Sequence, residues 1–510
     1  MADYMEIISD GEVCDIIDFY NSKYGSAIKN LKPLQHQALS CIVDRNSKSG
    51  DLICMLPTGY GKSLIYELVP LVLEKKFDQN TVMLVLEPLN VIIEQQLSKL
   101  GSSAMSICEN MKESDLKKLT ENSVQYIYSH PEHIIGNKEI NNVLSSDSCQ
   151  SRKCVIVVDE AHCVLDWGEE YRPMFSRIRE LRAVLPDAKL VALSATLSQT
   201  AQRDVAKVLL MRNMKVVASQ PTRENISLVV MRRPPLGSNI SSKDTYDYVF
   251  LPLLNELKLK GQKFPLTIVY CSGSMDWVGY GFEVSSKILG TDMHVGNKSP
   301  ENQRVVMYHS SIEKGDKLKD IIFKNLSKPP CESPLKLVFA TIALGMGADL
   351  QHVERVIHVG SPMNMEAYIQ QVGRAGRNGK QCIAVIFFNN SDLGRQGVSK
   401  SVKDFCKNDS ECRKTVINAY FGFTCNDSMA TERPLCCDVC NEELKSEWHY
   451  ETPMDERKKC VLRQAIQTYV QASKLEKVVL PAHVEKLVFN ALFYTDSSAI
   501  EKDFTYPCQV

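Results

Sequence analysis

At 510 residues, with 44% hydrophobic and 24% charged content, the chain has an ordinary globular composition and room for roughly two to four domains. Its formal net charge of -1 excludes a uniformly basic polyanion binder, so any nucleic-acid site must be a local basic groove. No apolar run reaches the ~18 residues needed to span a bilayer, residues 1–10 lack the start of a signal peptide, and most of the 18 cysteines stand singly in apolar runs, all of which points to a reducing compartment, cytosol or nucleus.

In chain order, a short apolar strand over 51–55 ends at a glycine-containing loop, and a helix is expected from Lys62 toward Leu73, with a break or kink at Pro70. A strand over 81–86, a helix over 91–100, and strands over 154–158 and 189–193 follow. Short apolar runs alternating with helical patterns predict an α/β fold with a parallel sheet and functional residues at the carboxyl ends of its strands. Gln220-Pro221-Thr222-Arg223 reads as a linker. A second block has strands over 266–270, 335–340, 355–359 and 382–388, and surface loops over 290–303 and 328–334. Beyond Asn390 the composition turns polar and cysteine-rich, with a helical pattern over 461–470 near the end.

Three stretches carry chemistry. In Thr58-Gly59-Tyr60-Gly61-Lys62-Ser63, the glycines let backbone N–H groups wrap phosphates, Lys62 neutralises β/γ oxygens, and Ser63 is a Mg²⁺ ligand. Asp159-Glu160-Ala161-His162 ends an apolar strand. Asp159 is placed for the Mg²⁺ shell, Glu160 for polarising the attacking water, and His162 for relaying closure to Ser194-Ala195-Thr196 or serving as a structural histidine. Gln370, one turn before Arg374, is read as a water-orienting group. Arg374 and Arg377, three apart, are expected on one helical face, their guanidinium forks suited to a γ-phosphate. A nucleotide site in a cleft between two lobes follows, with hydrolysis requiring closure.

These motifs resemble those of superfamily 2 helicases, and within them the RecQ-family DNA helicases, over about residues 31–440. The resemblance implies two RecA-like lobes. Lys32-Pro33-Leu34-Gln35 resembles the family's adenine-recognition motif, with Gln35 bonding the base and Tyr24 and Lys32 stacking near it, lysine being a departure from arginine. Glu87-Pro88-Leu89 and Ser129-His130-Pro131-Glu132 resemble motifs lining the DNA path, and Ala340-Thr341 with Gly345-Met346-Gly347 the DNA-coupling motif of the second lobe. Trp167-Gly168-Glu169-Glu170-Tyr171-Arg172-Pro173 resembles the RecQ aromatic-rich loop. Trp167 and Tyr171 offer faces for bases and Arg172 a cationic plane; core aromatics are the alternative. RNA helicases with the same Asp-Glu-Ala-His box lack this loop, which argues for DNA.

Cys412, Cys436, Cys437 and Cys440 supply four thiolates for a closed tetrahedral Zn²⁺ site, with Cys425 as rival to Cys436, and a helix over 413–421 after the first ligand resembles the RecQ zinc-binding module. The expected organisation is an N-terminal segment 1–30, an ATP-binding RecA-like lobe 31–219, a second RecA-like lobe 220–395, a small helical zinc-binding module 396–441 and a short helical tail 442–510. With only residues 441–510 after it, the winged-helix domain of long RecQ proteins is not expected here. By resemblance the chain is an ATP-dependent 3′–5′ DNA helicase using ATP, Mg²⁺ and Zn²⁺. It would translocate on single-stranded DNA and unwind forked duplexes in nuclear DNA repair and recombination. A DNA-stimulated translocase with little unwinding, or a junction-binding scaffold, are the alternatives.

Overall fold

The computed structural model describes residues 8–45, 50–57, 59–109, 111–120, 123–166, 173–237, 240–272, 274–309, 317–345, 350–424, 433–450 and 464. Two parallel sheets organise them. The first contains strands β1 (Leu52–Met55), β2 (Thr81–Leu86), β3 (Ala104–Ile107), β4 (Tyr126–Ser129), β5 (Lys153–Val158), β6 (Lys189–Ser194) and β7 (Lys215–Ala218) in the order β3-β4-β2-β5-β6-β1-β7. The second contains β8 (Ile226–Arg232), β9 (Thr267–Cys271), β10 (Val305–Tyr308), β11 (Leu337–Ala340), β12 (Arg355–Val359) and β13 (Cys382–Phe388) in the order β10-β11-β9-β12-β13-β8.

Every strand pairing is parallel, which requires crossovers and covers both faces with helices. The central strands are accordingly buried along their whole length, as in Thr81–Leu86, and read as continuous apolar runs rather than alternating ones. Each sheet has one hydrophobic cluster on either side. In the first lobe, Cys54, Val85, Val157 and Leu193 face one cluster, and Ile53, Leu84, Ile156 and Ala192 the other. In the second lobe, Ile268 and Val356 face one side, and Val269 and Ile357 the other.

The helix after the phosphate loop spans Lys62–Phe77 and runs through Pro70 rather than stopping there. Proline removes one backbone donor at a cost of about 3 kcal/mol. The burial of Ile65, Leu68, Val69, Leu71, Val72 and Leu73 around it outweighs that cost. The polar stretch after Leu289 is a chain of short 3-10 turns (Gly290–Met293 and Pro300–Asn302) closed by an isolated bridge between His294 and Gln303. The helix expected over 461–470 lies outside the described residues except for position 464. No helix among the described residues is long and apolar enough to cross a membrane.

One helix–sheet contact is especially close. The helix Met275–Leu289 crosses β11 at Gly281, where an added Cβ would sit 2.6 Å from the Phe339 ring. That ring is fully buried and packs edge-on against Phe250 at 5.0 Å, so it has nowhere to move. Gly281→Ala is expected to destabilise the second lobe by about 1–3 kcal/mol through overpacking, seen as a lowered thermal transition. An unchanged transition would show that this face is looser than its geometry.

Candidate nucleotide site and thiol cluster

The groups expected to face a nucleotide sit at the carboxyl ends of β1, β5 and β6. β1 leads into a turn in which Leu56 N donates to Ser194 O (3.1 Å) and Tyr60 N to Pro57 O (3.0 Å). Gly59 and Gly61 hold φ of +80° and +90°, the left-handed region that a side chain would strain, and Gly61 is the N-cap of the helix Lys62–Phe77. The free N–H groups of that helix therefore face the loop, with Lys62 and Ser63 as its first residues. Lys62 Nζ lies 3.5 Å from Leu56 O. Thr58 lies outside the described residues.

β5 delivers Asp159 and Glu160. Glu160 has φ +47°, an unusual backbone for a non-glycine residue, and one associated with functional turns. The turn is held by Glu160 N donating to Asp159 Oδ1 (2.8 Å) and Ala161 N to Leu193 O (2.8 Å). Burial pushes the Glu160 carboxyl up, but Lys62, His162, Arg374 and Arg377 together outweigh it and hold the group below its ordinary range. Asp159 moves the other way, raised by burial and by the Glu160 charge. Glu87, fully buried at the end of β2, is a third carboxyl of this site. Burial and then Asp159 push it well above the carboxylate range. The sequence placed Glu87 in a DNA-path motif and gave no sign of this proximity, because β2 and β5 meet only in the folded sheet.

The second lobe closes the site. Gln370 Nε2 lies 3.1 Å from His162 Nε2. His162 Nδ1 lies 3.3 Å from both Glu160 Oε2 and Ser194 Oγ, so the expected link from His162 to the Ser194 segment is present. Arg374 and Arg377 do not share a helical face. The helix Met365–Val372 ends at the Gly373 cap, and both arginines occupy the turn that follows, in which Gly376 adopts φ +63°. Three-residue spacing reads as helical, but past Val372 the backbone tightens into i→i+3 turns, with Arg374 N donating to Gln371 O and Ala375 N to Val372 O, before the left-handed Gly376 turns the chain away. Both arginines are still near enough to lower the Glu160 carboxyl electrostatically, and a Cβ on Gly59 would lie 3.7 Å from Arg377 Cδ. Gln371 points away from the cleft, with its Oε1 2.8 Å from His358 Nε2 in the interior.

At the other end of the phosphate loop, Gln35 Oε1 accepts from Lys32 N (2.8 Å), and Gln35 Nε2 donates to Tyr60 O and Gly61 O (3.0 Å each). Lys32 Nζ sits 4.5 Å over the Tyr60 ring. Tyr24 instead packs 4.9 Å from Tyr20 on the N-terminal helix Asp10–Tyr24. The aromatic beside Lys32 is thus Tyr60 of the phosphate loop itself, a residue the sequence reading passed over. Trp167, Tyr171, Arg172, Met346 and Gly347 lie outside the described residues.

Cys412, Cys436, Cys437 and Cys440 come together with all four Sγ atoms within 4.8 Å of one another. The Cys412–Cys436 and Cys412–Cys437 separations are 3.6 and 4.0 Å. Four thiolates about 2.3 Å from one Zn²⁺ sit roughly 3.8 Å apart, so the donor set and its spacing fit that ion. Cys425 is outside the described residues. The cluster is fixed to the second lobe: Leu228 N donates to Cys436 O (3.2 Å) and Asp438 N to Leu228 O (3.0 Å), extending the edge strand β8. Beneath it Arg413, at the start of the helix Arg413–Tyr420, forks onto the buried Asp438 carboxylate and donates to Phe405 O (2.9 Å).

The family of DEAD/DEAH box helicases matches residues 32–204, and the helicase conserved C-terminal domain matches residues 253–379. The chain is 28% identical to the ATP-dependent DNA helicase Q1 of Mus musculus over 82% of this chain and 61% of that protein. It is 25% identical to the RecQ-like DNA helicase blm-1 of Caenorhabditis elegans over 85% of this chain and 42% of that protein. The chain therefore spans less than two thirds of the length of these relatives. Among solved structures, the DUF1998 helicase MrfA bound to DNA superposes with a TM-score of 0.59 at 17% identity, covering 86% of this chain and 55% of that one. Mss116p bound to single-stranded RNA and AMP-PNP gives 0.55 at 15% identity, covering 98% and 97%. At those identities the structural likeness is one of fold.

The buried Arg413–Asp438 pair makes a local prediction. Asp438→Ala leaves a buried guanidinium without its carboxylate and is expected to cost about 3–5 kcal/mol in the module. Hydrogen exchange should report it as faster opening of the helix Arg413–Tyr420; unchanged protection there would contradict it. Taken together, two helicase domains match along this chain, and over most of its length it is similar to RecQ-family helicases.

Proposed function

We propose that this protein is an ATP-dependent DNA helicase of RecQ type that couples ATP hydrolysis to 3′–5′ movement on single-stranded DNA and to unwinding of forked duplexes. The observation that carries the reading is the convergence on Glu160: Lys62 and His162 from one lobe and Arg374 and Arg377 from the other all draw its carboxyl down, while Gln370 meets His162 across the cleft. A carboxylate kept ionised among cations is suited to accept a proton from an attacking water. The arginines are suited to the charge that spreads over a transferring γ-phosphoryl group.

In this reading Gly59, Gly61 and Thr58 wrap the phosphates, and Lys62 neutralises the β/γ oxygens. Ser63 and Asp159 would hold Mg²⁺, which when bound offsets phosphate charge. Lys32 and Gln35, with Tyr24 further off, belong to the base end. Gln370, read from the sequence as water-orienting, also ties His162 to closure. Trp167, Tyr171 and Arg172 form the DNA-sensing loop, by resemblance alone. Cys412, Cys436, Cys437 and Cys440 would hold a structural Zn²⁺, with Cys425 as rival to Cys436. The domain limits given above, a nuclear location and a role in DNA repair and recombination belong to the same proposal.

The test is ATP turnover alone, with single-stranded DNA and with RNA, alongside unwinding of forks bearing a 3′ or a 5′ arm. Stimulation by DNA and unwinding from the 3′ arm are expected. Stimulation without unwinding would favour a translocase, and stimulation by RNA alone would reject the DNA assignment. Glu160→Gln should retain ATP binding while turnover falls about 10²-fold or more; turnover at the wild-type level would remove the general-base role.

For the thiol cluster, roughly one equivalent of zinc should co-purify, and Cys437→Ser should lower the metal content and loosen the module. Fully folded, active, metal-free protein would defeat the assignment. Zinc retained in Cys436→Ser but lost in Cys425→Ser would move one ligand role to Cys425.

A further inference from the structure

The segment between the sheets, residues 219–225, does more than connect them. Arg223 turns its guanidinium onto the arginine-bearing turn of the second lobe, with Nη1 donating to Ala375 O (3.0 Å) and Nη2 to Gly376 O (2.5 Å). Asn225 Nδ2 donates to Gly376 O (2.8 Å) and Lys380 O (2.7 Å). Those carbonyls flank the turn between Arg374 and Arg377. From the other side the segment is gripped by the helix Arg413–Tyr420: Thr222 Oγ1 donates to Asn418 Oδ1 (2.9 Å), Asn418 Nδ2 to Gln220 Oε1 (3.4 Å) and Lys414 Nζ to Glu224 O (3.0 Å). Three residues further on, β8 pairs with the thiol-bearing strand at Leu228.

The electrostatics run against this placement. Burial and the nearby Arg377 weaken the hold of Arg223 on its proton, and burial, with Arg223 adding to it, disfavours the Lys32 ammonium. A cation set among cations is retained here for the geometry of its fork. A planar guanidinium reaches two carbonyls at once, as an ammonium cannot. Without it, the turn that carries Arg374 and Arg377 keeps the Asn225 bonds but loses both bonds from the Arg223 fork.

We infer that Arg223 is a positioning residue for the arginine turn, and that the helix Arg413–Tyr420 braces it, so that the thiol-bearing module reaches the nucleotide site through the segment between the lobes. The inference rests on the reading of this chain as an ATPase. Arg223 touches no phosphate, so its loss should misplace the arginines in the closed state without emptying the nucleotide pocket. Small misplacements of catalytic groups can cost about 10²-fold in rate.

The experiment compares wild type, Arg223→Ala, Arg223→Lys and Asn418→Ala in the full chain. It measures kcat and KM for ATP with saturating single-stranded DNA, AMP-PNP affinity, zinc content and the thermal transition. Arg223→Ala is expected to lower kcat about 10²-fold, with AMP-PNP affinity, metal content and thermal transition near wild type. Asn418→Ala should show a smaller loss of the same kind, and Arg223→Lys only partial recovery. Wild-type kcat in Arg223→Ala overturns the inference. So does a kcat loss matched by equal losses of nucleotide affinity and stability, which would mark a merely structural role. Full recovery in Arg223→Lys overturns it too, since charge alone would then suffice. A wild-type protein that does not hydrolyse ATP would overturn the ATPase reading itself, whereas normal wild-type turnover with an insensitive Arg223→Ala would overturn only this inference.

Discussion

The imidazole of His162 is where the two halves of the nucleotide site meet. Gln370 Nε2, from the second lobe, lies 3.1 Å from its Nε2. On the other side of the ring, Nδ1 faces Glu160 Oε2 and Ser194 Oγ, each 3.3 Å away. A contact made by the second lobe thus bears on a histidine of the first that stands beside Glu160. The fields of Arg374 and Arg377 on Glu160 also come from the second lobe. If the cleft opens, Glu160 loses both arginines among the groups that oppose its burial. Its ionisation is therefore a property of the closed arrangement, a direct physical route from lobe position to chemistry.

The parallel sheets explain why these groups can meet at all. Every strand of the first sheet ends on the same side, so β1, β2, β5 and β6 present the phosphate loop, Glu87, Asp159 and Ser194 at one rim. The second sheet contributes the turn after the helix Met365–Val372 to the same cleft. An edge strand such as β8 would otherwise expose unpaired backbone groups. The residues Cys436–Asp438 cover it in part, by bonds on both sides of Leu228. The thiol module is thereby built onto the sheet rather than tethered to it, and its helix lies against the segment between the lobes.

Much of this was legible in the chain because buried parallel strands are written as uninterrupted apolar runs. The runs at Thr81–Leu86, Arg355–Val359 and Cys382–Phe388 match the observed strands at both ends. Most strands that escaped have only four residues, although Ile226–Arg232, seven residues long, escaped as well. Ala104–Ile107 is only partly buried, and Lys215–Ala218 lies at the sheet edge. The N-terminal helix Asp10–Tyr24 was readable after all: Ser9 and Glu12 form a capping box, and the Ser-x-x-Glu spacing announces it. The helical reading of Arg374 and Arg377 failed because three-residue spacing cannot register a left-handed glycine or the pull of Arg223 on the carbonyls between them. Glu87 and Tyr60 escaped for another reason, since their roles arise from neighbours far away in sequence.

The base end of the cleft is where local geometry constrains recognition most. The Gln35 amide has two donors and an oxygen with two lone pairs. Both donors are spent on Tyr60 O and Gly61 O, and one lone pair on Lys32 N. Gln35 therefore ties the phosphate loop to the start of the helix Pro33–Val43, and a Cβ on Gly61 would come within 2.6 Å of its amide nitrogen. With this arrangement intact, only one lone pair remains to read a base, enough to accept from an exocyclic amine but not to form the bidentate pair an amide makes with adenine. The Lys32 ammonium, drawn over the Tyr60 ring, offers a point charge where an arginine would offer a plane. Under the nucleotide reading proposed above, discrimination between bases at this end would rest on a single hydrogen bond and on whatever stacking Tyr60 allows, while the glycine loop and Lys62 would hold the phosphates whichever base is attached.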